Sequence, residues 1–425
     1  MPISMVCGLQ WGDEAKGKAT HLLSEGMDYV ARFAGGPNSG HTIVSNNVRT
    51  ALHVIPAGIM KEGVTNLMGS GMVLDPVGLV AELEGVSKQI DYTGRLFVSE
   101  GAHLIFEYHR YQEKLDEKAR GKGKIGTSMR GIGPCYADKI NRIGIRAGLL
   151  LDEPRLRRIL NKNLTQKNKI FEGQYKAAPL TLDEVIEPIL KTIPIIKPLL
   201  ADTSRIAHKA VSEGKNILLE GNQGILLDLD HGTYPYVTSS SCLPASGMST
   251  FGLSPVHLTR IIGISKSYQT RVGKGPFPTK LDDEVGQEIR DRGNEYGTTT
   301  GRPRDCGWLD LVALKYAVRV SGATELMLTL LDVFDTFDEI KVCTSYELNG
   351  ERTEYFNPDS GILEIVKPQY ISFKGWKTDL SGEVWIDNFP KEALEYIKFI
   401  EDFIGIPINM VSVGPEEKQT CRRKK

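Results

Sequence analysis

Short apolar runs that stop at a glycine recur along this 425-residue chain. The run 3–7 stops at Gly8, the run 217–219 leads into Gly221, and the pair 261–262 into Gly263. Glycines also cluster at 35–36, 69–71, 121–133, 221–224, 273–275 and 297–301. Short apolar strands ending in glycine turns, with helical patterns between them, predict an α/β fold with a central, mostly parallel sheet. Sheets of that kind bind ligands on the loops at the carboxyl ends of their strands. The glycines are expected to lie there.

Between the strands, residues 107–120 are charged and helix-forming, and residues 153–214 read as helical. Leu182, Val185, Ile186 and Ile189 keep the spacing of one helix face. Pro188, Pro194 and Pro198 are expected to break that stretch into short pieces. Beyond Asp332 the pattern turns strand-like, and Asn349-Gly350 marks a hairpin turn between the runs 343–348 and 352–356. With no internal repeat and no Gly/Ser linker, the expectation is one large domain over 1–425. It would carry a helical insertion at about 105–215 and a small C-terminal hairpin region. The tail 416–425 ends in Arg-Arg-Lys-Lys and reads as a solvated, poorly ordered end.

Charge narrows the function classes. Fifty-two basic side chains against 53 acidic leave a net −1, which argues against a general nucleic-acid binder or a polybasic membrane protein. No uncharged apolar stretch approaches the ~18 residues of a membrane span. The first ten residues lack the basic start of a signal peptide. Six scattered cysteines form no Cys-x-x-Cys pair, and the histidines have no His-x-x-x-His spacing. The expectation is a soluble cytoplasmic protein with reduced thiols and no structural metal.

The strongest local signal follows the first strand. Gly12-Asp13-Glu14-Ala15-Lys16-Gly17-Lys18 fits the Gly-x-x-x-x-Gly-Lys phosphate loop, in which backbone N–H groups and a lysine hold a phosphate chain at a helix N-terminus. The hydroxyl that usually meets Mg²⁺ is missing, since the next residue is Ala19, and Asp13 is the available metal ligand. A second pattern, Gly121-x-Gly123-x-x-Gly126, matches the dinucleotide fingerprint, but a charged helical segment precedes it where a strand is required. The NAD reading is therefore discarded. Three other segments offer groups for anions: Asn38 to Thr42 with His41, Ser128 with Arg130, and Thr298 to Arg304 with two forked guanidiniums.

These segments, in order, resemble those of the adenylosuccinate synthetase family, and the likeness runs along nearly the whole chain. They are Gln10-Trp11-Gly12-Asp13-Glu14, Gly35-Gly36-Pro37-Asn38-Ser39-Gly40-His41-Thr42, Arg130-Gly131-Ile132-Gly133-Pro134 and Glu220-Gly221-Asn222-Gln223-Gly224. Further along come Asp230-His231-Gly232-Thr233, Thr270-Arg271-Val272-Gly273-Lys274-Gly275, Thr299-Thr300-Gly301-Arg302, Gly307-Trp308-Leu309-Asp310, Leu331-Asp332-Val333 and Ser412-Val413-Gly414-Pro415.

The resemblance implies that GTP, IMP and L-aspartate give adenylosuccinate, GDP and phosphate, with one Mg²⁺ per site. Asp13 would remove the purine N1 proton and ligate the metal, with the Gly40 carbonyl as a second ligand. His41 would stabilise the transferred phosphoryl group, and Gln223 would bond the developing 6-oxyanion. Gly12, Glu14, Lys16, Gly17, Lys18, Gly40 and Thr42 would hold the GTP phosphates, and Asp332, Ser412 and Gly414 the guanine. That puts base recognition in the C-terminal part, about 325–425. Asn38, Ser128 and Thr238 would hold the IMP phosphate, with Gln223, Arg302 and a partner subunit's copy of Arg142 completing the IMP site. The chain would then be a homodimer. Thr299, Thr300, Arg302 and Arg304 would bind aspartate.

Several positions depart from the family pattern: Ala15 and Met129 where glycine is usual, Asn222 for alanine, Leu330 for lysine, and Asp305 for a basic residue. If position 15 requires a positive φ, its Cβ costs on the order of 1 kcal/mol. Met129, Asn222 and Leu330 motivate an alternative acceptor, dGMP, which would give 2-amino-deoxyadenylosuccinate with relaxed GTP/ATP choice. A third reading, a nucleotide-binding homologue without catalysis, sits poorly with the presence of Asp13, His41, Gln223, Arg302 and Arg304.

Overall fold

Ten strands form the main sheet of the computed structural model, which describes residues 3–45, 48–297 and 301–424. In chain order they are β1 (Ile3–Gly8), β2 (Tyr29–Arg32), β3 (Thr65–Met68), β4 (Leu96–Ser99), β5 (Leu200–Ala201), β6 (Ile217–Gly224), β7 (Leu258–Lys266), β8 (Glu325–Thr329), β9 (Ile408–Ser412) and β10 (Thr420–Arg422). Across the sheet the order is β10-β9-β8-β7-β1-β6-β2-β3-β4-β5. Every neighbouring pair is parallel except β9 and β10.

β1 and β6 lie at the centre and are buried along their whole length. Alternate residues feed opposite layers, as the period of two requires. Val6 and Leu218 pack with Ala19, Leu22 and Leu23 of helix α1 (Lys16–Leu23), while Met5 and Leu219 pack with Ala207, Ala210, Met248 and Phe251 on the other side. Burial on both faces explains why these strands read as continuous apolar runs.

The glycines do a different job from the one expected at two places. Gly221 and Gly263 do not end their strands; β6 continues to Gly224 and β7 to Lys266. At Gly263 a Cβ would collide with Leu9, and at Gly221 with the Val6 carbonyl oxygen. They are close-approach positions inside the sheet, where the absent side chain lets a neighbouring segment pass.

Helices dominate 107–212 as expected: Glu107–Ala119, Ile132–Ile140, Glu153–Tyr175, Leu182–Leu190, Ile193–Ile196 and Thr203–Ser212. Two details differ. Pro188 lies inside Leu182–Leu190 without breaking it, because it falls in the last turn and little helix remains to be disrupted. The same region also supplies β5, the edge of the main sheet.

The C-terminal region is richer than a hairpin. Strand Glu339–Leu348 does pair antiparallel with Glu351–Thr353, and Asn349 and Gly350 have φ of 54° and 86°, as a two-residue turn needs. Yet Lys391–Ile404 is a helix whose Ala393, Ile397, Ile400 and Ile404 are buried on one face. Nor is the tail loose. Thr420 and Cys421 are buried in β10, and Arg423 pairs with Glu401 at 2.8 Å. A polar edge strand is held by backbone pairing, which leaves no apolar periodicity to read. No helix among the described residues is long and apolar enough to cross a membrane.

Candidate active site

β1 ends at Gly8, and the chain then loops over the sheet to enter α1. Three of four consecutive residues take positive φ: Gly12 at 94°, Asp13 at 61° and Ala15 at 66°. Ala15 is the residue just before α1, so the condition for a Cβ penalty at that position is met.

An internal anion shapes this loop. The Glu14 side chain is fully buried and accepts the Gln10 N–H at 3.0 Å and the Gly12 N–H at 2.9 Å. Lys16 donates to it at 2.5 Å. Burial pushes the carboxyl up, but Lys16 and the backbone donors outweigh that and hold it below its ordinary range. A Cβ at Gly8 or Gly224 would run into this carboxylate, which is why glycine is required at both strand ends. Glu14 is among the residues expected on GTP, and its side chain takes up the loop's own donors. The N–H groups left to face the cleft belong to the first turn of α1, whose earliest main-chain bond is Ala19 N–H to Ala15 C=O at 3.1 Å. A helix N-terminus of this kind favours phosphate.

The cleft above the sheet has a volume of about 1140 Å³. Its wall includes Gly12, Asp13, Lys16, Gly17, Asn38, Gly40, His41, Thr42, Ser128, Gln223, Thr238 and Arg304 among the residues expected in a site. Within it, Gln223 donates to Asn38 at 3.0 Å, while Gln223 Oε1 and Thr238 Oγ1 are buried without partners. Arg304 pairs with Asp13 at 3.1 Å and with Glu295 at 2.6 Å. Glu295 in turn accepts from Lys266 at 2.8 Å and from Tyr268 at 2.7 Å. This buried chain fixes the angle at which Arg304 meets Asp13.

His41 opens the strand His41–Ser45 and is buried. Its Nδ1 contacts Glu220 Oε1, and its Nε2 lies 3.3 Å from the Asn222 carbonyl oxygen. Glu220 also accepts the Ala57 N–H at 2.7 Å. Burial and the nearby Arg32 lower the imidazole's affinity for a proton, and Glu220 works against them. Glu220 itself is held below its ordinary range, because His41 and Arg32 overcome its burial. The sequence reading gave Glu220 no role. The available signal was an acid directly after the apolar run 217–219, in a strand buried on both faces. Glu295, Lys266 and Arg32 left no comparable signal, since their partners are brought together only by the tertiary fold.

Lys18, expected on the GTP phosphates, has its side chain elsewhere. It does not line the cleft; its buried ammonium donates to Ser412 Oγ at 2.7 Å, to the Gly414 carbonyl at 2.7 Å and to the Gln419 carbonyl at 3.1 Å. Burial lowers its pKa to about 8, with Asp332 opposing. Asp332, on the turn Leu331–Phe334, has a buried Oδ1 with no donor, and burial pushes its carboxyl up to about 6. An acceptor left open in this way suits a ligand that brings N–H groups.

Among the departures, Met129 and Leu330 both have positive φ, 57° and 58°. Asp305 pairs with Lys280 at 3.3 Å. The Asn222 side chain lies against Gly35 and accepts from Arg32 and Ser39, while its Nδ2 is buried without a partner. Arg142 is exposed at the end of Ile132–Ile140, outside the cleft, and Arg302 is also exposed. Thr299 and Thr300 lie outside the described residues.

The residues available for Mg²⁺ are the Asp13 carboxylate and the Gly40 carbonyl. Both are hard oxygen donors, and Mg²⁺ takes few protein ligands and fills its octahedron with phosphate and water. The donor set fits that ion. Among the described residues there is no cluster of three or more His, Cys, Asp or Glu that would make an all-protein cage.

Comparison with known proteins agrees with this geometry. A family model for adenylosuccinate synthetase matches residues 5–421. The adenylosuccinate synthetase of Salinibacter ruber is 46% identical, over 99% of this chain and 98% of that protein. That of Alkaliphilus metalliredigens is 44% identical over 100% of both. The fully ligated adenylosuccinate synthetase from Plasmodium falciparum superposes with a TM-score of 0.94 at 36% identity, covering both chains completely. A succinoaminodeoxyadenylate synthetase from cyanophage S-2L, bound to dGMP and dATP, shares the fold at a TM-score of 0.62 and 20% identity, over 100% of this chain and 96% of that one.

Proposed function

The chain belongs to the adenylosuccinate synthetase family, the ligases that join L-aspartate to IMP, and on that premise we propose that it uses GTP and a 6-phosphoryl-IMP intermediate. The observation that carries the reading is the single cleft wall shared by Asp13, His41, Gln223 and the N-terminus of α1. A purine 6-oxo group leaves poorly, so it has to be phosphorylated before an amine can replace it.

In this mechanism Asp13 takes the N1 proton of IMP, and O6 becomes the nucleophile that attacks the γ-phosphorus of GTP. The bond to GDP breaks as the new P–O bond forms. Gln223 offers a donor to O6, and His41, braced by Glu220, meets the phosphoryl oxygens as charge passes through them. The aspartate amine then attacks C6, and the C6–O bond breaks to release phosphate. Arg304 and Arg302 supply the guanidiniums that suit the two carboxylates of L-aspartate. Asp13 and Gly40 would hold Mg²⁺, which supplies charge neutralisation on the phosphates when bound.

Asn38, Ser128 and Thr238 are read as the IMP phosphate site, and the unpartnered Thr238 hydroxyl supports this. Asp332 with Ser412 and Gly414 is read as the guanine site, in keeping with the open Asp332 oxygen. By the family likeness we read the chain as a homodimer in which Arg142 reaches the partner's site, and its exposure outside its own cleft is compatible with that role. A neutral chain with no membrane-spanning helix among its described residues fits a cytoplasmic enzyme of purine synthesis.

The test offers purified protein Mg²⁺, L-aspartate and either IMP or dGMP, each with GTP or ATP, and measures phosphate and succinyl-purine product. IMP with GTP should turn over. No turnover with that pair would sink the reading, and turnover of dGMP alone would move the acceptor assignment to dGMP. Asp13→Ala should abolish turnover while nucleotide still binds; full activity would remove Asp13 as the base.

A further inference from the structure

Lys18 carries an inference that rests on the guanine-site reading above and goes beyond it. An ammonium has three N–H donors. Here all three are met inside the protein, by Ser412 Oγ, the Gly414 carbonyl and the Gln419 carbonyl, and the side chain is only 6% exposed. No donor remains for a phosphate.

The acceptors lie at the last residue of β9, Ser412, and in the loop from there to β10, at Gly414 and Gln419. That loop is also braced internally: Val413 N–H bonds the Gln419 carbonyl at 3.0 Å, Glu416 N–H bonds Gln419 Oε1 at 3.0 Å, and Ser412 Oγ bonds the Gly414 carbonyl at 3.0 Å. Gly414 has a φ of 156°, and a Cβ there would strike the Gln419 amide, so the loop closes tightly on itself. Lys18 fastens this closed loop to the helix whose first turn faces the cleft, and His21 of the same helix adds a contact to Glu417 at 3.3 Å.

We propose that Lys18 is a positioning residue for the nucleotide base, locking the 412–419 loop to the phosphate-facing helix so that base and phosphate sites keep a fixed separation. The helix is short and fully buried, so it transmits that separation rigidly. A nucleotide whose phosphates sit on the α1 N-terminus then presents its base to Asp332, Ser412 and Gly414 without a search. The selection of guanine over adenine depends on this lock as well as on Asp332.

The test uses Lys18→Met and Lys18→Arg in the full-length chain. Affinities for GDP and ADP are measured by titration calorimetry, alongside KM for IMP and GTP. Arginine keeps the charge, but its planar fork cannot satisfy three acceptors arranged around one ammonium. Both variants should lose at least tenfold in the ratio of GDP to ADP affinity, with the KM for IMP within about twofold of wild type. Equal losses for GDP and ADP in Lys18→Met, or wild-type selectivity in Lys18→Arg, would return Lys18 to a phosphate role and overturn the proposal. Wild-type protein that prefers GDP but fails to turn over IMP would count against the proposed reaction and leave the Lys18 result standing. If Lys18→Met does not fold, shown by loss of its thermal transition, the Lys18→Arg arm decides.

Discussion

Glu220→Gln perturbs the His41 arrangement with almost no change in shape. The glutamine keeps an oxygen for the Ala57 N–H, now accepted at 2.7 Å, but removes the charge that faces the His41 Nδ1. Both side chains are buried, so water cannot substitute for the lost carboxylate. A hydrogen bond to a charged group contributes roughly 1.5–3 kcal/mol. If that support is needed as charge crosses the transferred phosphoryl group, kcat falls by roughly 10- to 150-fold at 1.36 kcal/mol per decade. KM for IMP and for GTP should move little, since neither Glu220 oxygen lines the cleft. Arg32 loses a counter-charge at the same time, so an accompanying drop in stability of about 3–5 kcal/mol is the upper bound. The assay follows phosphate release and product formation at saturating substrates, with circular dichroism to confirm folding. A folded variant with kcat within about twofold of wild type would refute the claim that Glu220 braces His41.

Two further changes test other parts of the site. Ala15→Gly relieves a left-handed alanine at φ 66°. The relief, centred near ~1.5 kcal/mol, is partly offset by ~0.7 kcal/mol of extra unfolded-chain entropy, so stability should rise by about 0.8 kcal/mol. A urea midpoint that stays put or falls would show the strain is absent. Asp332 titrates near 6 in the free protein because burial disfavours its charge. Binding guanine N–H groups favours the carboxylate, so protonation competes with GTP, and the KM for GTP should rise as pH falls through about 6 while that for IMP stays level. A flat GTP profile from pH 7.5 to 5 in wild type, or a pH-dependent one retained in Asp332→Asn, would count against Asp332 as the base acceptor.

Local chemistry was legible from the sequence and long-range chemistry was not. The loop from Gly12 to Lys18 announces itself because strand, glycine and lysine are contiguous, and the decoy at 121–126 fails for the equally local reason that a helix precedes it. The direction of Lys18 and the burial of Glu14 leave no mark in the sequence, because both depend on what the fold brings near them. The His41–Glu220 and Arg304–Glu295–Lys266 contacts join segments whose side chains carry no mark of each other in sequence. Gly221 and Gly263 were read as turns because composition cannot separate a glycine that bends the chain from one that lets another segment pass close by. The terminal strand was missed because three paired residues need only backbone groups, and Thr-Cys-Arg looks like solvent-facing text.

The ten-stranded sheet finishes in β5 at one side, two residues long, and in β10 at the other, three residues long. Each flank therefore offers only a few amide groups to a neighbouring chain. Along these two flanks a second molecule has almost nothing to dock a strand against. The broad platform that carries the ligand loops thus stays separate from its neighbours in a crowded solution. Arg142 itself lies just past the helix Ile132–Ile140, in neither of the two flanking strands of this sheet. Assembly and catalysis can then vary without either one rewriting the sheet that supports both.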